Sequence, residues 1–490
     1  MKKTLVVLML LVALVSSFCF AQGATEKKNS AEPYEIKWYV ANALGPQPDT
    51  EKVVNYFNEK LQEKGFPAKL NLVMTDWGSF DQKMQMVISA QEKFDLCFTS
   101  NWCNNYANNV RKGAYLDVTE LLEKNAPNIM KIIPSSAWNA AKIDGGLFAM
   151  LNYQIWARQS CFAMDKVVGD KYNVDYASIK KLEDLEPYCE AVVKNEPNNH
   201  YPISSDKNSP LMFLLPYHGY EELVGTNLPG VVEFSDDTVT VKNQYKLPQV
   251  KETVALFRDW YGKGYFRKDV STLSTGQPDQ RAGLTHLGFD TYKPGIEAIV
   301  KQFFNTEAAV AIPTSKGYTT TGSIIATMTA VSATSENPEL VVKFYDLLFS
   351  DPELYNIICY GIEGTHYEKI NANTIRLTDN KGYRPNTDWL FGNQFNAYVF
   401  EGVDPNVWKE TIKINEESIP SKTLGFIFDP ENVMTEIANL TSVVNQYLPI
   451  VGNGAGDAKM YDEFVAKLDA AGADKLIAEV QKQLNAWLGK

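Results

Sequence analysis

Apolar residues in the first hundred positions follow two alternating spacings. In three segments they occupy every second position or form a short continuous run, as in β-strands: 36–40, 70–74 and 94–98. Between these segments, apolar residues recur every three or four positions, as on one face of a helix: Val53, Val54, Phe57 and Leu61, then Phe80, Met84, Val87 and Ile88. Parallel strands need a crossover, usually a helix, between them. The pattern therefore predicts an α/β lobe with a parallel sheet.

Aromatic and polar side chains follow two of these strands. Asp76 and Trp77 come directly after the second strand, and Asn101 and Trp102 come after the third. Ligands of open α/β sheets bind beyond the carboxyl ends of the strands. An indole face can stack on the C–H face of a sugar, while carboxylate and amide groups can bond its hydroxyls. The alternative is that both tryptophans only cover the edge of the sheet.

The length of 490 residues predicts a second lobe, because single cores stop growing near 250 to 300 residues. A turn at 144–146 follows the first lobe, and apolar stripes mark helices near the end of the chain. We predict these boundaries: signal peptide 1–23, polar spacer 24–33, lobe 1 at 34–145 plus about 300–350, and lobe 2 at 146–299 plus about 351–490 with the helical C-terminal segment.

The N-terminus has the pattern of an export signal. Lys2 and Lys3 precede an apolar run from Leu5 to Val15, and Ala21 and Gly23 are small residues suited to cleavage. A membrane-spanning helix needs about 20 apolar residues, so a permanent N-terminal anchor is the weaker alternative. We expect an exported protein, periplasmic or extracellular.

Cysteine usage bears on tethering and on disulfides. Cys19 could carry a lipid anchor, but the bulky Phe18 before it fits a lipidation site poorly, so tethering is not favoured. The remaining five cysteines are too sparse for a disulfide framework. Cys97 and Cys103 could close a small loop, although buried free thiols are the preferred interpretation.

Charge and motif content exclude several classes of function. The chain carries a net charge of −12, and loss of the signal peptide removes two lysines and no acid, giving about −14. Such a surface repels nucleic acid and anionic membranes. The four histidines show no zinc-binding spacing, and no nucleophile-elbow or calcium-loop motif occurs. We expect no metal, no cofactor and no catalytic residue.

Five segments follow one another along the chain in a recognisable order: Phe94-Asp95-Leu96, the run from Lys112 to Thr119, Asp144 to Ala149, Ile325-Ala326, and Ala330 to Glu339. They resemble segments of the extracellular solute-binding proteins of ABC importers, in the group that includes carbohydrate receptors. The runs from Gly361 to Tyr367 and from Lys467 to Lys475, with Glu479, Gln483 and Trp487, are similar to a lipoprotein-like subgroup. Together the segments extend from about residue 35 to the end of the chain.

The resemblance implies two α/β lobes of periplasmic-binding-protein type, joined by more than one crossing, with a hinge and a ligand cleft between them. Residues 144–149 would form the first crossing. The expected partners are a small solute, namely an oligosaccharide, and the membrane permease of an ABC importer, and the protein itself is expected to be a monomer. Ligand would favour the closed form, which the importer recognises.

Candidate ligand contacts follow from chemistry and position. Trp77, Trp102, Tyr153 and Trp156 are the candidates for stacking. Their polar partners would be Asp76, Asn101 and Arg158. Further candidates are Tyr217, Phe289, Tyr292, Trp389 and, in a tight turn, Glu363, which could instead cap a helix. With 9 Trp, 25 Tyr and 24 Phe in the chain, most aromatic residues must serve packing.

Two other functions remain open at this point. A secreted glycoside hydrolase would place a pair of carboxylates on a sugar, but no motif singles out such a pair. A sensory binding component would share the fold and differ only in its membrane partner.

Overall fold

The computed structural model describes residues 32–42, 44–225 and 227–490. The predicted signal peptide, Cys19 and most of the polar spacer lie outside these residues. Within the described part of the chain, no helix has both the length and the apolar character required to cross a membrane.

Strands and helices alternate through much of the described chain. The strands are β1 Tyr34–Asn42, β2 Ala68–Asp76, β3 Leu96–Thr99, β4 Lys142–Ile143, β5 Gly146–Leu147, β6 Met150–Leu151, β7 Ala157–Arg158, β8 Ser160–Asp165, β9 Tyr201–Ile203, β10 Tyr220–Glu222, β11 Val231–Glu233, β12 Thr285–Thr291, β13 Ala309–Pro313, β14 Tyr318–Thr319, β15 Met328–Val331, β16 Tyr367–Lys369, β17 Thr374–Leu377, β18 Val399–Phe400 and β19 Ile419–Pro420. The α-helices are α1 Thr50–Glu63, α2 Trp77–Ser89, α3 Tyr106–Arg111, α4 Thr119–Asn125, α5 Pro127–Ile132, α6 Ser135–Ala141, α7 Lys166–Lys171, α8 Glu186–Asn195, α9 Leu211–Leu214, α10 Pro248–Gly262, α11 Gln277–Arg281, α12 Ile296–Phe303, α13 Thr321–Ile324, α14 Pro338–Ser350, α15 Pro352–Tyr360, α16 Val407–Glu417, α17 Met434–Val451, α18 Ala458–Ala470 and α19 Ala473–Trp487.

The first lobe is built on a five-stranded sheet in the order β2-β1-β3-β15-β6. β1 and β3 are parallel, as the alternating pattern predicts, and β15 returns to pair antiparallel with β3. Trp38 of β1 is fully buried, and its ring contacts Tyr345 and Phe391 edge-on, at 5.7 and 5.6 Å between ring centroids. The core of this lobe therefore includes side chains from distant parts of the sequence.

The second lobe contains a mixed sheet in the order β13-β8-β12-β9. β8 pairs antiparallel with both β13 and β12, and β9 is parallel to β12. Its core extends from this sheet to the C-terminal helices; Phe162, Trp260, Phe289, Phe464 and Val480 are among its buried members. The amphipathic stripes at the end of the chain thus pack onto the second lobe.

Three short strands connect the lobes and form the hinge. β7, β14 and β19 make one small sheet, in which β14 is antiparallel to β7 and parallel to β19. Each strand lies between segments of different lobes: β7 follows β6 of the first sheet and precedes β8 of the second. The expected crossing at 144–149 is wrong, because β4 and β5 pair as a hairpin before the chain enters β6.

A buried carboxyl group lies against the third hinge strand. Glu221 of β10 accepts hydrogen bonds from the hydroxyls of Ser421 and Thr423, the latter at 2.6 Å, directly after β19. Burial raises the pKa of Glu221 to about 7, although these two hydrogen bonds favour its ionised form. Glu221 therefore couples the second lobe to the hinge and changes its charge near neutral pH.

The structure places two segments differently from the predicted lobe boundaries. β13 lies within the range 300–350 expected for lobe 1, yet it pairs with β8 of the second sheet. Helix α15 follows residue 351, where lobe 2 was expected to resume, yet it packs on α1 of the first lobe. Both segments pair with partners far away in sequence, which hydrophobic periodicity does not encode.

The five cysteines in the described part of the chain are free and buried. Burial raises the pKa of Cys97 to about 12, so its thiol stays protonated at neutral pH. The interpretation as buried free thiols is confirmed, and the alternative disulfide between Cys97 and Cys103 is absent.

Candidate functional site

Three tryptophans meet at the carboxyl end of the first sheet. The indole planes of Trp77 and Trp389 stack with 5.6 Å between ring centroids and 10° between planes. Trp102 lies against both, at 5.3 Å from Trp77 and 6.4 Å from Trp389, and Phe98 of β3 contacts all three. We call Trp77, Trp102 and Trp389 the tryptophan cluster.

Local hydrogen bonds fix the two tryptophans that follow strands. Asp76 accepts a hydrogen bond from the backbone N–H of Ser79 at 3.1 Å and so caps helix α2, which begins at Trp77. The hydroxyl of Ser79 also donates to Asp76 and lowers the pKa of that carboxyl. Trp102 donates from Nε1 to the carbonyl oxygen of Ala326 at 2.8 Å, yet 47% of its side chain is exposed. Its polar atom is therefore satisfied while the ring stays accessible.

A cavity of about 630 Å³ lies between this end of the first sheet and the second lobe. From the first lobe it is lined by Trp102, Ala326, Thr327, Thr387, Asp388 and Trp389. From the second lobe it is lined by Phe213, Asp290, Thr291, Lys293, Ile296 and Phe303. Aromatic and aliphatic surface thus alternates with single polar groups, which is typical of small-molecule sites.

Several polar atoms of the cavity wall have no protein partner among the described residues. They are the Oγ1 atoms of Thr327 and Thr387 and the Oε1 atom of Gln394. The three side chains are nearly fully buried, at 3%, 3% and 1% exposure. Buried polar groups in native proteins are nearly always hydrogen-bonded, so these three atoms are available to bond a molecule that enters the cavity.

Asn152 connects the part of the cavity wall at Thr327 with the part that carries Trp389. Its backbone N–H donates to Thr327 O at 3.2 Å, and its side-chain Nδ2 donates to Leu390 O at 2.6 Å. Its Oδ1 accepts from the hydroxyl of Tyr345 at 2.6 Å. Because Asn152 is fully buried and bonded on every side, the segment that carries Trp389 has a fixed position against β15.

Comparison with known proteins shows which class of protein this chain is similar to. The chain is 29% identical over 473 residues to a carbohydrate ABC transporter substrate-binding protein of Streptococcus pneumoniae serotype 4 (strain TIGR4), covering 94% of this chain and 92% of that protein. The crystal structure of the N-glycan transport solute binding protein NgtS from Streptococcus pneumoniae superposes with a TM-score of 0.81 at 27% identity, over 93% of this chain and 99% of that one. Its complex with Man5GlcNAc gives a TM-score of 0.77 at 28% identity, with the same coverage. The chain is therefore similar over nearly its whole length to solute-binding proteins of ABC importers.

The two-lobed fold predicted from the sequence is confirmed by these neighbours. A more distant neighbour, the substrate binding protein FusA of Streptococcus pneumoniae in complex with kestose, shares the fold with a TM-score of 0.62 at 16% identity, over 93% of this chain and 99% of that one. Residues 422–489 match a family described as "Domain of unknown function (DUF3502)". This segment contains the C-terminal run whose pattern resembles the lipoprotein-like subgroup.

Among the predicted ligand contacts, the structure brings three together. Trp102 and Trp389 line the cavity, and Trp77 supports both from behind. Asp76 is exposed nearby but serves as the helix cap. Asn101 is exposed on the same turn, with its side-chain amide beside Gly322.

The other predicted aromatic contacts are engaged in packing. Tyr153 and Trp156 are buried against each other, with 4.7 Å between ring centroids, and Tyr153 also contacts Phe395. Phe289 belongs to the second-lobe core, and Tyr217 packs on Phe162 at its border. Tyr292 packs on a small cluster around Ile296 and Phe304. Their positions favour a structural role.

The two remaining predicted contacts lie elsewhere. Arg158 is part of hinge strand β7, pairing with Tyr318 of β14. Glu363 is exposed in a turn and forms an ion pair with Lys369 at 2.9 Å. Neither residue lines the cavity.

Sequence reasoning missed the polar wall of the cavity. Asp290 could have been found, because Phe289 points into the core and successive strand residues face opposite sides. Burial raises the pKa of Asp290. Thr327, Thr387 and Gln394 carry no motif, and only the folded chain brings them together.

Proposed function

We propose that this solute-binding protein captures an oligosaccharide in the cavity between its lobes and presents it to the permease of an ABC importer. The observation that carries the proposal is the cavity wall itself, in which an accessible indole from the tryptophan cluster stands beside unpartnered polar atoms. Relatives described as carbohydrate-binding and as complexed with Man5GlcNAc support the same class of ligand.

The chemistry of the wall suits a sugar ring. Trp102 offers its face while Ala326 holds its N–H, so the ring can stack on the C–H face of a pyranose without losing a hydrogen bond. Hydroxyl and amide oxygens nearby can pair with the sugar hydroxyls. The volume of about 630 Å³ lies within the usual range for small-ligand sites, about 300 to 1,000 Å³.

Closure about the hinge explains how the protein delivers its ligand. A ligand that contacts both walls of the cavity binds the closed form better than the open form and shifts the population toward closure. The permease then distinguishes loaded from empty protein by shape. We place this cycle outside the cytoplasm and infer that the mature protein is released after the signal peptide, without a lipid on Cys19.

Thermal unfolding in the presence of a glycan panel tests the proposal. The panel contains Man1GlcNAc, Man5GlcNAc, kestose and alginate oligosaccharides, with short peptides as the contrasting class. A ligand at one hundred times its dissociation constant adds about 2.7 kcal/mol to the free energy of unfolding, a shift that scanning calorimetry resolves. We expect at least one glycan to raise the melting temperature and to be recovered intact.

Two outcomes would contradict the proposal. A shift produced by peptides alone would exclude the sugar assignment. Conversion of a bound glycan into shorter products, detected by chromatography after incubation, would identify a hydrolase instead of a receptor.

A further inference from the structure

Gln394 holds an unusual position in the cavity wall. Its side chain is 1% exposed, and its Nε2 donates to Asp388 Oδ2 at 3.0 Å. Its Oε1, on the other side of the amide, has no partner among the described residues. Gln394 and Asp388 both line the cavity.

Asp388 determines which way the amide of Gln394 faces. The carboxyl oxygen Asp388 Oδ2 is an acceptor here, so the amide nitrogen of Gln394 is the atom turned toward it. The assignment of oxygen and nitrogen in a glutamine amide rests on such a network. The hydroxyl of Tyr360 also approaches Asp388 Oδ2, at 3.5 Å, and is a second donor to the same oxygen. Gln394 Oε1 is therefore fixed as an acceptor.

Hydrogen bonds hold the backbone around Gln394. Gln394 donates its backbone N–H to Tyr153 O at 2.9 Å. Asn152, which precedes Tyr153, donates from its side-chain Nδ2 to Leu390 O. Thr327 and Thr387 bring further buried hydroxyls without protein partners to the same cavity. A hydroxyl can donate or accept, whereas Gln394 Oε1 can only accept.

We propose that Gln394 is a specificity-determining residue whose Oε1 accepts a hydrogen bond from one O–H or N–H group of the bound glycan, with Thr327 and Thr387 bonding neighbouring groups. This inference rests on the proposed function, because it requires a sugar in the cavity. A site built around a buried acceptor rejects an analogue that lacks the matching donor much more strongly than one that lacks an apolar contact. The site selects for that one donor on the sugar ring.

The test combines ligand analogues with a protein variant. Calorimetric titration uses Man1GlcNAc and a series in which each hydroxyl in turn is replaced by hydrogen, and the acetamide N–H by N-methyl. On the wild-type protein, one analogue is expected to bind at least tenfold more weakly than the parent. On Gln394→Met the affinity for the parent sugar should fall to the affinity that the wild-type protein shows for that analogue. The parent and the analogue should then bind the variant equally well.

Matched variants separate this role from a structural one. Gln62→Met makes the same replacement at an exposed position of α1 and should leave every affinity unchanged. Thr387→Val removes one neighbouring hydroxyl and should abolish the penalty for a different analogue. Circular dichroism and the melting temperature establish that each variant is folded, and Thr387→Val provides the test should Gln394→Met fail to fold.

The outcomes distinguish the two proposals. Parent binding that weakens in Trp102→Ala but stays within threefold in Gln394→Met, with the same analogue pattern, overturns the role of Gln394 and leaves the proposed function intact. Absence of binding by every glycan in the panel to the wild-type protein overturns both.

Discussion

Replacing Trp102 with alanine is expected to weaken glycan binding at least thirtyfold. The side chain lines the cavity and is 47% exposed, so the change removes a stacking surface while most core packing remains. Loss of one aromatic contact of this size costs about 2 kcal/mol, which corresponds to about thirtyfold in the dissociation constant. Isothermal titration with the glycan that binds the wild-type protein most tightly measures the effect.

Trp487 provides the matched control for Trp102. It is exposed to a similar degree, 44%, but it lies on α19 and packs on Phe426, away from the cavity. Trp487→Ala should therefore bind the glycan with wild-type affinity. Equal affinities of all three proteins would assign Trp102 to a purely structural role at the edge of the sheet.

Replacing Glu221 with glutamine should make the protein more stable in alkaline solution. Burial raises the pKa of Glu221 from 4.5 to about 7, so between these values the folded protein binds a proton that the unfolded chain releases. The stabilisation due to this proton is fully present below pH 4.5, and it is lost as the pH rises through 7. At pH 8 and above, a pKa shift of this size lowers the free energy of unfolding of the wild-type protein by about 3 kcal/mol. Glutamine stays neutral and can still accept from Ser421 and Thr423, so the variant avoids this loss.

Urea unfolding followed by tryptophan fluorescence at several values between pH 4.5 and 8.5 measures the difference in the free energy of unfolding between Glu221→Gln and wild type. The difference should be near zero at pH 4.5 and favour the variant increasingly up to pH 8. Other buried acids, Glu222 and Asp290 among them, titrate in both proteins and cancel in the comparison. Glu252→Gln, at an exposed position of α10, serves as the control. A difference that does not vary with pH would contradict the role of Glu221.

The first lobe could be predicted from the sequence because its signals are local. Alternation in β1 and β2 and helical stripes in α1 and α2 depend only on neighbouring residues, and they define the end of the sheet where Trp77 and Trp102 lie. The predicted third strand is displaced, from 94–98 to Leu96–Thr99, which is typical of the precision of boundaries.

The composition of the cavity could be predicted only in part, because aromatic residues look alike in a sequence. Tyr153 and Trp156 have the same chemistry as Trp102, yet they pack into the interior, while Trp389 meets Trp77 from more than 300 positions away. Whether a ring faces a cavity depends on long-range pairing, such as the bonds of Asn152 to the segment of Trp389.

The hinge sheet limits how the two lobes can move. Three backbone segments run side by side between them, and the hydrogen bonds of β7, β14 and β19 oppose sliding of any one segment past its neighbours. These hydrogen bonds oppose rotation of the lobes about an axis through the small sheet much less. Each closing event should therefore bring Trp102 and Asp290 together in the same relative position. The loss of orientational entropy when the binding surface assembles is then small.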